Sequence, residues 1–226
     1  DIVGVYIEVL DIEENITPIN PVLSKRSLAC FCTTLEQKEA CEEEGIEVIY
    51  FDNFIKRNEA KYKDNLDLAL IGGYGGVYYY KDKDTYTVSD FSLNVVNSKS
   101  VYLLHKAGID RVTLSHEMNK KNIQDLITNF KKNYNTSPNL EMILYGHAHL
   151  LNTKYCPLKV NGLCGKCKKN LYVIKDNYGE FPIISHSDCT TTIVNGKILN
   201  LLDEINNLPP EITTYRLQFT IESKEE

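Results

Sequence analysis

No apolar run in this 226-residue chain approaches the roughly 20 residues that a membrane-spanning helix needs, which argues against a membrane protein. No signal peptide is visible, and the expected compartment is reducing and cytoplasmic. Basic charge is in short supply. The net charge of −6 argues against a general nucleic-acid coat. There is no G-x-S-x-G elbow, so a Ser/His/Asp hydrolase cannot be read from the sequence. There is no H-E-x-x-H either, and Ser115-His116-Glu117 is not that motif. The glycine cluster Gly72, Gly73, Gly75 and Gly76 has neither a G-x-G-x-x-G pattern nor a P-loop lysine. A turn between strands is the favoured reading there, ahead of a phosphate loop.

Against these absences stands one dense stretch, Tyr155 to Cys189. It holds four of the seven cysteines: Cys156, Cys164, Cys167 and Cys189. Cys164 and Cys167 form a C-x-x-C knuckle, whose tight turn can aim two thiolates at one ion. The gaps of 7, 2 and 21 residues fit neither a two-knuckle zinc ribbon nor a ferredoxin run. The four thiols therefore point to an iron–sulfur cluster of the 4Fe-4S kind or to a structural zinc, and spacing does not choose between them. Two disulfides or four idle thiols are the competing readings. Cys30, Cys32 and Cys41 lie in segments that read as buried strand and helix, where cysteine acts as a small hydrophobe. Lys154, Lys159, Lys166, Lys168 and Lys169 crowd the same stretch, with no acid among them until Asp176. They read equally as a solvated loop or as a site for phosphate, RNA or an acidic substrate. Lys154, Lys166, Lys168 and Lys169 are the substrate-binding candidates.

The chain begins at Asp1 rather than Met and is expected to be a domain of a longer polypeptide. Residues 1–24 read as a strand and linker, the tail of a preceding domain. Residues 25–226 read as one α/β domain carrying the four-cysteine site. Strands are expected at Ile2–Leu10, Ser27–Cys32, Glu47–Asp52, Leu66–Ile71, Arg111–Ser115, Leu140–Tyr145 and Tyr215–Ile221. Val77–Lys81 and Tyr86–Val88 read as a hairpin or strand-loop-strand. Leu171–Ile174 and Phe181–Ser185 bracket an Asn177–Gly179 turn as a second hairpin. Helices are expected over Leu35–Glu44, in part of Asn53–Asn65, within Asp90–Gly108, over His116–Asn133 and within Thr190–Asn206. Alternating strands and helices with short connections predict a (β/α) barrel-like fold, truncated or irregular, with a Cys-rich loop and β-hairpin insertion near the C-terminus. A doubly wound open sheet is the alternative.

Polar residues follow successive strands: Asp90, Ser92 and Asn94, then Ser115, His116 and Glu117, then Tyr145, His147 and His149. In a barrel they ring one mouth, where barrel enzymes place their chemistry. Asn94, Glu117, Tyr145 and His147 are the catalytic candidates. Ser115 reads as a helix cap, and Asn94 and Asn97 as holders of loop backbone. His147 and His149 read as a polar rim or as the completion of a zinc site.

In order along the chain come SLACFCTTLEQKEACEEEGIEVIYFD, DFSLNVVNS, RVTLSHEMN, EMILYGHAHL, YCPL, the C-x-x-C knuckle and KDNYGEFPIISHSDC. This order resembles the peptidase U-32 family, the collagenase-like proteins, over about residues 27–221. The chain looks most like the C-terminal barrel half of its long members. The resemblance implies protease activity, as in a few members, or RNA hydroxylation of a ribosomal cytidine or a tRNA wobble uridine, with an iron–sulfur cluster and a need for prephenate metabolism. The implied cluster ligands are Cys156, Cys164, Cys167 and Cys189. The chain departs from the pattern at His147, where relatives often carry arginine, and at Asp176-Asn177, where they often carry Asp-Arg. The segment before the glycine cluster is also shortened. Three functions follow as expectations: iron–sulfur-dependent RNA hydroxylation in the parent protein, peptide hydrolysis, or a metal-stapled module that docks RNA or the rest of the parent polypeptide.

Overall fold

Short apolar and β-branched runs set the strands, and polar caps and glycines set where the chain leaves them. The structure, a computed structural model, describes residues 4–8, 28–32, 47–52, 62–167, 171–186, 189–218 and 220–221. The strands are β1 (Gly4–Glu8), β2 (Leu28–Cys32), β3 (Glu47–Asp52), β4 (Leu68–Ile71), β5 (Tyr86–Ser89), β6 (Arg111–Thr113), β7 (Leu140–Thr153), β8 (Tyr172–Lys175), β9 (Glu180–Ser185), β10 (Thr191–Asn200) and β11 (Ile212–Gln218). The described helices are α1 (Tyr74–Tyr80), α2 (Ser98–Lys106), α3 (Lys120–Tyr134) and the single turn α4 (Pro157–Val160).

Strands β1 to β7 pair in parallel in chain order. β11 pairs in parallel with both β7 and β1, which joins the two edges as an open doubly wound sheet does not. The fold is thus a barrel-like α/β arrangement. β1 lies in the stretch that the sequence sets apart from residue 25 onward, yet it pairs with strands from both ends of that later stretch. The helices expected at Leu35–Glu44 and within residues 53–61, and Cys41 with them, lie outside the described residues.

The apolar core sits between the sheet and the helices. Val112, Leu114, Leu140, Leu144, Tyr215 and Leu217 face Val101, Leu104, Ile123, Leu126, Ile127 and Phe130 of α2 and α3. On α3 those residues recur at helical spacing and define one face. Burial of each such side chain contributes about 1.5–3 kcal/mol. Asn119 starts α3, its side chain accepting from the Asn122 N–H at 2.9 Å, and Asn135 ends it in the left-handed conformation. Asn97 caps α2 in the same way through the Ser100 N–H.

Three expectations fail for physical reasons. Val77–Lys81 is not a strand but the second half of α1, and the glycine cluster leads straight into that helix. Its aromatic, β-branched residues favour a strand locally, but β4 and β5 are parallel neighbours, and a parallel pair needs a crossover. Val77 and Tyr80, three residues apart, bury together on the sheet side. Thr190–Asn206 is chiefly strand β10, with helix confined to a short 3-10 segment at Leu202–Asn207, because the β-branched run Thr191–Val194 pairs with β7 on one side and β9 on the other. The helix expected from His116 begins at Lys120, so Ser115 is no helix cap. Its Oγ instead accepts from the Glu117 N–H at 3.3 Å in a local turn.

β7 is fourteen residues long and leaves the barrel partway. Its second half pairs antiparallel with β10, which continues through β9 to β8. This excursion carries the cysteine segment. The β8–β9 turn closes at Asp176, whose N–H donates to the Gly179 carbonyl at 3.0 Å.

Candidate functional site

Inside the barrel, alternation places polar side chains where β6, β7 and β11 meet. Arg216 is buried there with both of its charge partners. Its Nε donates to Glu141 Oε1 at 2.8 Å, and one terminal nitrogen reaches Asp90 Oδ1 at 2.6 Å. The other terminal nitrogen donates to Glu141 Oε1 at 2.5 Å and to Thr113 Oγ1 at 3.0 Å. Thr113 passes its own hydroxyl proton on to Glu141 at 3.0 Å. Arg111 Nε lies 3.0 Å from Glu141 Oε2. Two guanidiniums thus offset two carboxylates. Burial works against the charge on Arg216, but Glu141 and Asp90 outweigh it and hold the pKa above its ordinary value. Burial also lowers the pKa of Arg111, opposed by Glu141 and reinforced by the nearby Arg216.

Asp90 links this floor to the mouth above it. Its other carboxylate oxygen accepts from Ser92 Oγ at 2.9 Å, and Ser92 Oγ also lies 3.0 Å from the Gly72 carbonyl. The next residue, Phe91, lines a small pocket with His116, Ile143, Gly146, His147, Ala148, His149, Leu199 and Gln218. The Phe91 ring lies 5.0 Å from the His116 ring and 5.1 Å from that of His149, edge to face in the second case. Gly146 makes the pocket possible. Its φ is +133°, and a Cβ there would meet the Gln218 carbonyl oxygen at 2.3 Å.

Burial keeps two of the pocket histidines, His116 and His149, in the neutral form. Burial pushes His149 down to about 4, with Asp90 opposing and His186, His116 and Arg216 adding to the fall. Burial lowers His116 as well, against Glu117 and Asp90. His149 Nε2 is buried and has no hydrogen-bond partner among the described residues. His147 is held differently, its Nδ1 donating to the Asn195 carbonyl of β10 at 2.5 Å. His186, on the excursion, lies 2.8 Å from Thr192 Oγ1, and Thr192 donates to Asn152 Oδ1 at 2.5 Å. That order makes His186 Nε2 the donor to Thr192.

The excursion rises directly from this pocket. β7 lines it through Gly146–His149 and β10 through Leu199. From Met142 to Lys175 the chain has six lysines and no acid. Lys154, Lys159 and Lys166 are exposed, beside exposed Tyr155 and, at the β8–β9 turn, Tyr178. Lys168 and Lys169 lie outside the described residues. None of Cys156, Cys164, Cys167 and Cys189 is in a disulfide; Cys164 and Cys189 are exposed, and the other two are half-buried. Four thiols, three of them in the acid-free stretch, suit a metal or cluster in chemical kind. Among the described residues, however, no three His, Cys, Asp or Glu side chains are drawn together as a metal-binding group.

Of the expected catalytic residues, His147 alone lines the pocket. Asn94 is exposed in the left-handed conformation, its N–H closing a turn onto the Phe91 carbonyl at 2.8 Å. Glu117 is exposed. Tyr145 packs against the outer core because a register shift in β7 changes which side chains face inward. Asp90, His116 and His149, expected on the rim, do converge. Arg111, Thr113, Glu141 and Arg216 went unnoticed. Their signal was a lone charge in each apolar strand, Glu141 within LEMIL and Arg216 within YRLQF.

Among the described residues no helix is long and apolar enough to cross a membrane. No protein-family model and no curated protein matches the sequence. The fold is similar to a solved structure described as that of the U32 peptidase Mk0906, with a TM-score of 0.52, 9% sequence identity, and coverage of 98% of this chain and 94% of that one.

Proposed function

We propose that the chain is a U32-type barrel domain that serves RNA modification by hydroxylation, with the substrate strand crossing the mouth over the small His149–Phe91 pocket, beneath the lysine-bearing excursion. The observation that carries the reading is the segment from Met142 to Lys175, which leaves the pocket along β7 with six lysines and no acid in a chain of net charge −6; of these, Lys175 pairs with Glu180 across the β8–β9 hairpin. Such a segment attracts a polyanion to one place on an otherwise acidic molecule. Exposed Tyr155 offers a base a stacking face beside the charge.

Cys156, Cys164, Cys167 and Cys189 are the residues that would hold an iron–sulfur cluster, which supplies one-electron chemistry when bound. The protein's own contribution is in the pocket. Phe91 and the neutral His116 and His149 rings form an apolar wall with one buried nitrogen available as a hydrogen-bond partner. Arg216 and Glu141 hold Asp90 beneath it.

Peptide hydrolysis has less support. It needs a nucleophile beside a base, or a metal with an open position. Neither His116 nor His149 hydrogen-bonds to a hydroxyl or thiol among the described residues.

The test is iron, sulfide and zinc analysis of protein purified without oxygen, together with binding of single-stranded RNA. Iron and sulfide lost in Cys164→Ala, with RNA bound in a salt-dependent way, is the expected result. Zinc alone would make the site structural. Cleavage of a peptide with no affinity for RNA would overturn the reading.

A further inference from the structure

The glycine cluster takes no part in the function proposed above, yet it stands at the same mouth. Gly72 follows the C-terminal end of β4 directly, and its carbonyl accepts from Ser92, the residue next to pocket-lining Phe91. Tyr74 opens α1 there.

The four tyrosines of α1 divide into two kinds. Tyr80 is buried and donates to the Lys63 carbonyl at 2.9 Å. Tyr79 donates to Asp64 at 2.8 Å and stacks on Tyr62 with ring centroids 4.6 Å apart. Tyr74 and Tyr78, one helical turn apart, point away from the core and are 72% and 76% exposed. Tyr78 carries Lys81 over its ring at 5.1 Å. Tyr74 makes no hydrogen bond or ring contact among the described residues. Its neighbours are glycines on both sides, Gly73 before it and Gly75 and Gly76 after it. Its helical neighbour on that face is Tyr78, and the ring stands largely in solvent.

We infer that Tyr74, with Tyr78 one turn behind it, is a stacking platform for a base of single-stranded RNA on the side of the mouth formed by β4, away from the lysine excursion on β7. The inference rests on the RNA reading above and adds a second contact of different chemistry. The excursion supplies charge. The α1 face supplies aromatic surface near Lys81, Asp82, Lys83 and Asp84, whose charges balance. A base needs only an open π-face there, and a sequence-tolerant contact follows. Gly75 has a packing role of its own, since a Cβ there would meet the Tyr62 hydroxyl at 2.3 Å.

The experiment measures fluorescence anisotropy of a labelled single-stranded oligoribonucleotide with the full chain, at several salt concentrations. Tyr74→Ala is expected to weaken binding about tenfold, within the range that loss of a stacked base produces. Tyr74→Phe should bind like the wild type. The salt dependence of Tyr74→Ala should match that of the wild type, because no phosphate contact is lost. Wild-type binding that Tyr74→Ala leaves unchanged would overturn this inference and leave the RNA reading standing. Failure of the wild type itself to bind would overturn both.

Discussion

The barrel floor and the excursion above it use charge in opposite ways. On the floor, Arg111 and Arg216 are buried against Glu141 and Asp90, every charge within reach of its opposite. On the excursion, six lysines run from Met142 to Lys175 with no acid between them; Lys175 pairs with Glu180 across the hairpin, while Lys154, Lys159 and Lys166 are exposed. Both regions belong to one strand. β7 contributes Glu141 at its start and leads into Lys154 at its end. Balanced, desolvated charge fixes a structure, because removing one partner strands the other. Solvated charge of one sign along a segment fixes little and attracts a polyanion.

The sharpest way to break the comparison is Glu141→Gln. It leaves Arg111 and Arg216 without their shared carboxylate, and a loss of about 3–5 kcal/mol in urea unfolding is expected. A change under about 1 kcal/mol would mean that the floor is not held by charge.

The pocket between the two regions gives the next effect. His149 has a folded pKa of about 4, below its ordinary 6.5. Its contribution is therefore fully present above about pH 6.5 and is lost as pH falls from there towards 4, since the unfolded chain binds the proton more readily. The loss is about 3 kcal/mol across that window. His149→Gln should flatten this part of the stability–pH curve, and an unaltered curve would place the titration elsewhere. Gly146→Ala strikes the same pocket, since its φ of +133° and its approach to Gln218 leave no room for a Cβ. A cost of about 1–3 kcal/mol is expected in the same assay.

The smallest expected effect on stability comes from the excursion. Lys154→Glu, Lys159→Glu and Lys166→Glu together should shift unfolding by no more than about 0.5 kcal/mol per site. RNA affinity should fall steeply, and the slope of its logarithm against that of salt should drop by about 2. A stability loss as large as that of Glu141→Gln would erase the distinction between the two regions.

The same contrast explains what the sequence disclosed. The apolar face of α3 and the runs LALI and EVIYFD have local periods, and those elements were legible to within a few residues. α1 was misread because its tyrosines favour a strand locally, while the need to cross over between parallel neighbours is a property of the whole sheet. The cysteines and lysines were visible because they cluster along the chain. The floor was hidden because it assembles Asp90, Arg111, Thr113, Glu141 and Arg216 from four separate places, with Asp90 and Arg216 126 residues apart. His149 was seen as a rim residue, but its neutrality comes from burial, which spacing does not carry. Tyr145 was misplaced by a bulge that no composition signal announces.

The central claim is that RNA lies across the mouth, under the excursion. The most direct test is photo-crosslinking of 4-thiouridine-labelled single-stranded RNA to the full chain, with the modified peptides mapped by mass spectrometry. Crosslinks within residues 142–175 and at Phe91 or Tyr74 are the predicted result. Crosslinks confined to other surfaces, or none where a peptide substrate is cleaved, would contradict it.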